Sequence, residues 1–239
     1  MNKSIRYKEL RVFAEEIRVN TLKTFEYNGF GHIGGAMSIV EAVALLYGEF
    51  MRYDPRDPNW PDRDKLVISK GHAGPTVYAT LAMKGFFPQS MLCELNRGGG
   101  RLPSHCDRNK TPGIDMTTGS LGQGISAAAG IALGDRMDGR DSCTYVIIGD
   151  GELDEGQNWE GFMFAGHYGL DRLTAIIDVN GQQLDGYTRD VMDTGDIAAK
   201  LRAFGWNTIE TDGHDIEKLY KALSEAGANT GTPSAIVMH

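Results

Sequence analysis

Asp150 stands between Gly149 and Gly151, directly after the β-branched run 143–148. Glycines on both sides allow a sharp turn and leave backbone N–H groups uncovered. With a helix following, that arrangement suits a phosphate, and a carboxylate within it suits the accompanying cation. Asn180 comes thirty residues later, in Asp178-Val179-Asn180-Gly181. That distance is about one strand–helix–strand unit, so adjacent parallel strands would deliver both side chains to one edge. One carboxylate, one amide oxygen, a loop carbonyl and two phosphate oxygens would suit Mg2+, which takes few protein ligands and shares its ligand's phosphates. Taken singly, each segment is equally an ordinary strand-to-helix turn, where Gly and Asn are common. The pairing is what points to a ligand.

Histidine is the second signal. His32, His72 and His105 each follow a glycine or proline break, in Gly31-His32, Gly71-His72 and Pro103-Ser104-His105. An imidazole exchanges protons near neutral pH and so suits acid–base work. One such histidine reads as a surface or packed residue; three in loops flanking a phosphate-type turn read as part of a site. His167 falls within a helical stretch and reads as structural. His214, after Asp212-Gly213, reads as a helix cap.

These side chains can meet only if the surrounding elements share an edge. Leu10, Phe13, Ala14, Ile17, Thr21, Leu22 and Phe25 predict a first helix closed by Gly29. Ser38-Ile39-Val40-Glu41 has the form of a capping box opening a second helix to about Phe50. A short buried strand is expected at 66–68 and a helix at 76–84 stopped by Gly85. Residues 97–118 are glycine-rich and too long for an idle connection. An alanine-rich helix is expected at 124–137. Strands at 143–148, 173–179, 208–210 and 234–238 then alternate with helices through 159–168, 197–204 and 216–226. Continuous apolar strands alternating with helices predict α/β architecture, a parallel sheet covered by helices on both faces. Ligands in such folds collect at the carboxyl ends of the strands.

Composition narrows the function. The 239 residues carry 24 Lys+Arg against 32 Asp+Glu, a net charge of −8, which argues against a nucleic-acid or acidic-membrane partner. Hydrophobic residues make up 41% and charged residues 23%, the balance of a folded chain. Thirty-one glycines against eight prolines point to tight turns and close backbone approach. Cys93, Cys106 and Cys143 lack zinc spacing and fit a reducing compartment. With no apolar run expected to reach eighteen residues and no leader-like start, a cytoplasmic location is expected.

The strings GHIGGAMS, LVISKGHAG, LPSHCDRNKTPGIDMTTGSLGQGISAAAGIALG, the GDG-to-Asn180 segment and DGHDIEKL follow one another along nearly the whole chain. Together they resemble the N-terminal, diphosphate-binding domain of transketolases, and the GDG-to-Asn180 segment resembles the thiamine diphosphate motif. The resemblance implies one thiamine diphosphate-binding domain over 1–239. Its cofactors would be thiamine diphosphate and Mg2+, with Ca2+ or Mn2+ as substitutes. It implies Asp150 and Asn180 as metal ligands, completed by the Gln182 carbonyl, and Gly151 and His72 as diphosphate contacts. Gly119 and Leu121 match backbone positions that hold the aminopyrimidine, and Leu184 matches a residue that helps bend the cofactor. Glu155 matches a carboxylate near the subunit interface. His32 and His105 match the histidines that face substrate. The implied activity is transfer of a two-carbon ketol unit between sugars or sugar phosphates.

The chain also departs from the family. Ile33 stands where the first histidine motif normally continues with proline. The family's activating glutamate and substrate-phosphate arginines lie in a pyrimidine-binding domain that these residues do not contain. The sequence ends at the strand after which the family continues with another active-site histidine, so either the chain is cut there or the function is altered. The resemblance therefore implies an N-terminal subunit working with a C-terminal partner, expected as a heterotetramer. Other readings are a deoxyxylulose-phosphate synthase or dehydrogenase-type component, or a non-catalytic cofactor-binding scaffold. A nicotinamide fold is disfavoured because no clear buried strand precedes Gly122-Gln123-Gly124.

Overall fold

A computed structural model describes residues 3–239. Five parallel strands form one sheet in the order β1-β2-β3-β7-β6. They are β1 (Lys65–Ile68), β2 (Thr144–Gly149), β3 (Leu173–Asp178), β6 (Asn207–Thr211) and β7 (Ser234–Met238). The central three, β2, β3 and β7, are buried along their whole length, in keeping with their mostly apolar sequences. Register places Ile68 beside Ile147, and Gly149 beside Asp178, so β1, β2 and β3 end side by side.

Side chains alternate between the two faces. Tyr145 and Ile147 join a core with α1 (Lys3–Asn28), α3 (Val40–Leu45), α4 (Gly74–Met83) and α9 (Ile216–Ala228). Val146 and Ile148 join a second core with α5 (Gly124–Met137), α6 (Gly156–His167) and α8 (Ile197–Ala203). The expected two-sided cover is present, and every strand and helix expected between 124 and 238 lies within a few residues of its place.

Three local expectations fail. Ser38 does not cap α3; its hydroxyl turns inward and donates to Asp178 Oδ2 at 2.7 Å. Helix α3 starts at Val40 without a side-chain cap, and Glu41 pairs with Arg18 and His214 instead. His214 is not the cap of α9; the Asp215 carboxylate accepts the Glu217 and Lys218 N–H groups. Residues 33–50 do reach the length and mean hydropathy, 1.4, of a membrane span. They are nevertheless divided into α2 (Ile33–Met37), α3 and a widened turn, with α3 packed among α1, α4 and α9. Burial in the core accounts for their apolarity.

Candidate active site

The carboxyl ends of β1, β2 and β3 deliver three loops to one place. Strand β1 runs into Ser69-Lys70-Gly71-His72, β2 into Asp150-Gly151-Glu152, and β3 into Val179-Asn180. The Asp150 N–H donates to the Asp178 carbonyl at 3.0 Å, stitching the second loop to the third. The Asp150 carboxylate accepts the Gly181 N–H at 2.7 Å, the Gly151 N–H at 2.9 Å and the Thr188 hydroxyl at 3.3 Å. Burial pushes this carboxyl above its usual range, against the two N–H groups, and the nearby Asp178 adds to the rise. A cation beside it would reverse that balance. Past Asn180 the chain forms a small hairpin, β4 (Gln182–Gln183) and β5 (Gly186–Tyr187), followed by the single turn α7 (Thr188–Val191), neither of which the sequence suggested.

These loops enclose an open cavity of about 730 Å³. Asp150, Gly151, Asn180, Gln182 and Leu184 line it, together with Gly119 and Leu121. His32, His72 and His105 line it as well, with the His32 ring 4.9 Å from His72 and 6.3 Å from His105, centre to centre. Among the described residues none of these three rings hydrogen-bonds to protein, so their nitrogens are available to a ligand. Burial, then Lys70 and the other two rings, lower His72 to about 4. Burial and His32 lower His105 as well. Glu155 is apart from this group: it precedes α6, is exposed, and packs beside Gly122 outside the cavity lining. His167 ends α6 against the Tyr168 ring, also outside the cavity lining.

Sequence reasoning passed over two residues here. Lys70 is fully buried yet reaches the cavity, and its ammonium pairs with Asp178 at 2.5 Å. Burial would raise the Asp178 carboxyl, but Lys70, Ser38 and Asn180 hold it below the ordinary carboxylate range. Glu152 is also buried; it accepts the Ser69 hydroxyl, the Gly122 N–H at 2.9 Å and the Gly149 N–H at 3.2 Å. One carboxylate thus ties the β1 loop, the approach to α5 and the β2 loop together. Both residues lie in segments that had drawn notice for their glycines and histidine.

Glycine makes the convergence possible at two points. A Cβ on Gly71 would lie 2.9 Å from the Gly119 nitrogen, so only glycine lets the β1 loop reach that backbone. Gly119 itself has φ of +144° and faces the His105 ring.

The donor set fits a diphosphate with its cation. Among the described residues no cluster of three His, Cys, Asp or Glu side chains could form a self-sufficient metal cage. One carboxylate, an amide and a carbonyl suit a hard cation that completes its shell from a ligand's phosphates. The model of the transketolase thiamine diphosphate binding domain matches residues 10–239. The chain belongs to the transketolase family. The 6-deoxy-6-sulfo-D-fructose transketolase subunit SqwG of Clostridium sp. (strain MSTE9) is 50% identical over 231 residues, covering 97% of this chain and 84% of the Clostridium one. An apulose-4-phosphate transketolase subunit of Actinobacillus succinogenes is 38% identical over 207 residues, covering 87% of this chain and 75% of its own length. Among solved structures, transketolase from Leishmania mexicana superimposes with a TM-score of 0.92 at 37% identity. That alignment covers 96% of this transketolase chain but only 36% of the Leishmania enzyme.

Proposed function

We propose that this chain is the diphosphate-binding subunit of a two-chain transketolase that moves a two-carbon ketol unit between sugars. The observation that carries the reading is the meeting, in one cavity, of the Asp150 turn, Asn180 from the neighbouring strand and three histidines whose ring nitrogens are open to a ligand. Residues 1–239 act as one domain. Asp150, Asn180 and the Gln182 carbonyl would hold Mg2+, with Gly151 and His72 at the diphosphate. The Gly119 and Leu121 backbone would hold the aminopyrimidine, and Leu184 would help bend the cofactor. When bound, thiamine diphosphate supplies the electron sink that the cleavage and transfer of a ketol unit require.

His32 and His105 meet the substrate and move protons at its oxygens. Held neutral by its surroundings, His105 can accept a proton from a hydroxyl at physiological pH. Among the described residues lining the cavity Lys70 is the one Lys or Arg, and Asp178 occupies its charge. Recognition of a terminal phosphate or sulfonate, of the kinds named in the Actinobacillus and Clostridium relatives, therefore falls to a partner chain. That partner also brings the acid that acts at the pyrimidine. The assembly is a cytoplasmic hetero-oligomer, two copies of each chain.

Asp150→Ala should abolish Mg2+-dependent thiamine diphosphate binding while leaving circular dichroism unchanged. Calorimetry giving the wild-type affinity for that variant would sink the assignment.

A further inference from the structure

Behind Asp150 and Asn180 lies a buried ion pair that this chemistry has not used. The Lys70 ammonium donates to Asp178 Oδ2 at 2.5 Å, to the Gly35 carbonyl at 2.8 Å and to Ser38 Oγ at 3.2 Å. Asp178 Oδ2 also accepts the Ser38 hydroxyl at 2.7 Å and the Asn180 side-chain NH2 at 3.0 Å. Burying two charges is a poor way to stabilise a sheet edge, because desolvation offsets most of their attraction.

An asparagine amide has a donating end and an accepting end of nearly the same shape, so its neighbours decide which way it faces. Asp178, paired with an ammonium, is an acceptor only and demands the NH2 end. On the other side the Gln182 backbone N–H, a donor only, meets Asn180 Oδ1 at 3.0 Å. A reversed amide would set oxygen against carboxylate and NH2 against N–H. Both neighbours therefore select one orientation, with the second lone pair of Oδ1 left for another partner.

We propose that Asp178, held in place by Lys70 and Ser38, is a positioning residue that fixes the Asn180 amide with its oxygen offered to the cation. This rests on the reading of Asp150 and Asn180 as cation ligands. Partners behind a metal ligand typically account for about 10–100-fold in metal affinity, so the effect is measurable.

The experiment titrates Mg2+ into the full chain with thiamine diphosphate present, followed by calorimetry, with near-ultraviolet circular dichroism to certify the fold. Asp178→Asn should weaken Mg2+ binding by about tenfold or more. Adding Asn180→Asp should restore most of the loss, because a carboxylate offers oxygen in either orientation. A purely structural role for Asp178 would lower Tm without that rescue. Should Asp178→Asn not fold, Lys70→Met with Asp178→Leu removes both charges and takes the same test, alone and with Asn180→Asp. An unchanged Mg2+ affinity in the folded variant, or a loss that Asn180→Asp does not recover, overturns the inference while leaving the cofactor site intact. Wild-type affinity in Asp150→Ala overturns both.

Discussion

At the scale of single residues, charge state separates the histidines from one another. The His72 imidazole has its pKa depressed from 6.5 to about 4, first by burial and then by the Lys70 ammonium. Between those values the unfolded chain binds a proton that the folded chain refuses. This group therefore costs stability as pH falls from about 6.5 towards 4, and contributes no slope above that window. A proton NMR titration of the chain without cofactor should show the His72 ring still neutral at pH 5, and His72→Gln should flatten the acid limb of the stability curve. An inflection near the ordinary histidine value would refute this. The sequence made Asp150, Asn180 and the three histidines legible because glycine flanks and strand-length spacing mark strand-end loops. It did not reveal Lys70 or Glu152, since lysine and glutamate are read as surface residues unless a buried partner is known. Their partners, Asp178 and the Ser69 and Gly122 loops, come from 108, 83 and 30 residues away in the chain.

Elements were legible where periodicity was strong and illegible where a tertiary contact overrode a local rule. The central strands β2, β3 and β7 are mostly apolar because both faces are covered, and that pattern survives in one sequence, whereas the edge strand β6 is half-buried and mixed. Ser38 instead obeys a buried carboxylate from β3, which no window around residue 38 contains. The hairpin β4–β5 has only two residues in each strand, too short for any alternation to register. Loop approach is likewise a property of elements, and Gly71 is its sharpest instance. An added methyl would meet the Gly119 nitrogen and the Thr118 carbonyl carbon, both at 2.9 Å, and both are backbone. Neither can rotate aside, so the β1 loop must part from the 118–119 segment. Gly71→Ala should cost roughly 1–3 kcal/mol in urea unfolding and weaken thiamine diphosphate binding together, because the same two loops border the cavity. Unchanged stability with unchanged cofactor affinity would show that the contact is looser than it looks.

For the molecule as a whole, the cavity is unfinished on one side. Leu184 lines it yet is 92% exposed, Ile33 lines it at 44%, and Phe30 stands nearby in sequence at 69%. Tyr187, Val191 and Met192, on and after the hairpin, are exposed as well. Apolar side chains left in water beside a binding site mark a surface that another chain covers. A carbanion-type chemistry needs water excluded from the reacting carbon, which an open cavity of this kind cannot do alone. Of the carboxylates around the cavity, Glu152 is committed to the Ser69, Gly122 and Gly149 donors, Glu155 lies outside the lining, and Asp185 lies exposed on the turn of the hairpin. The chain spans 36% of the Leishmania enzyme's length and 84% of the Clostridium subunit's. The isolated chain, saturated with Mg2+ and thiamine diphosphate, should therefore show no ketol transfer. Addition of a chain bearing a pyrimidine-binding domain should restore activity and bury Leu184, read as protection of the 182–187 amides from hydrogen exchange. Steady turnover from a preparation shown by mass spectrometry to hold this chain alone would refute the two-chain reading, because the missing acid and the missing wall would then have to lie within these 239 residues.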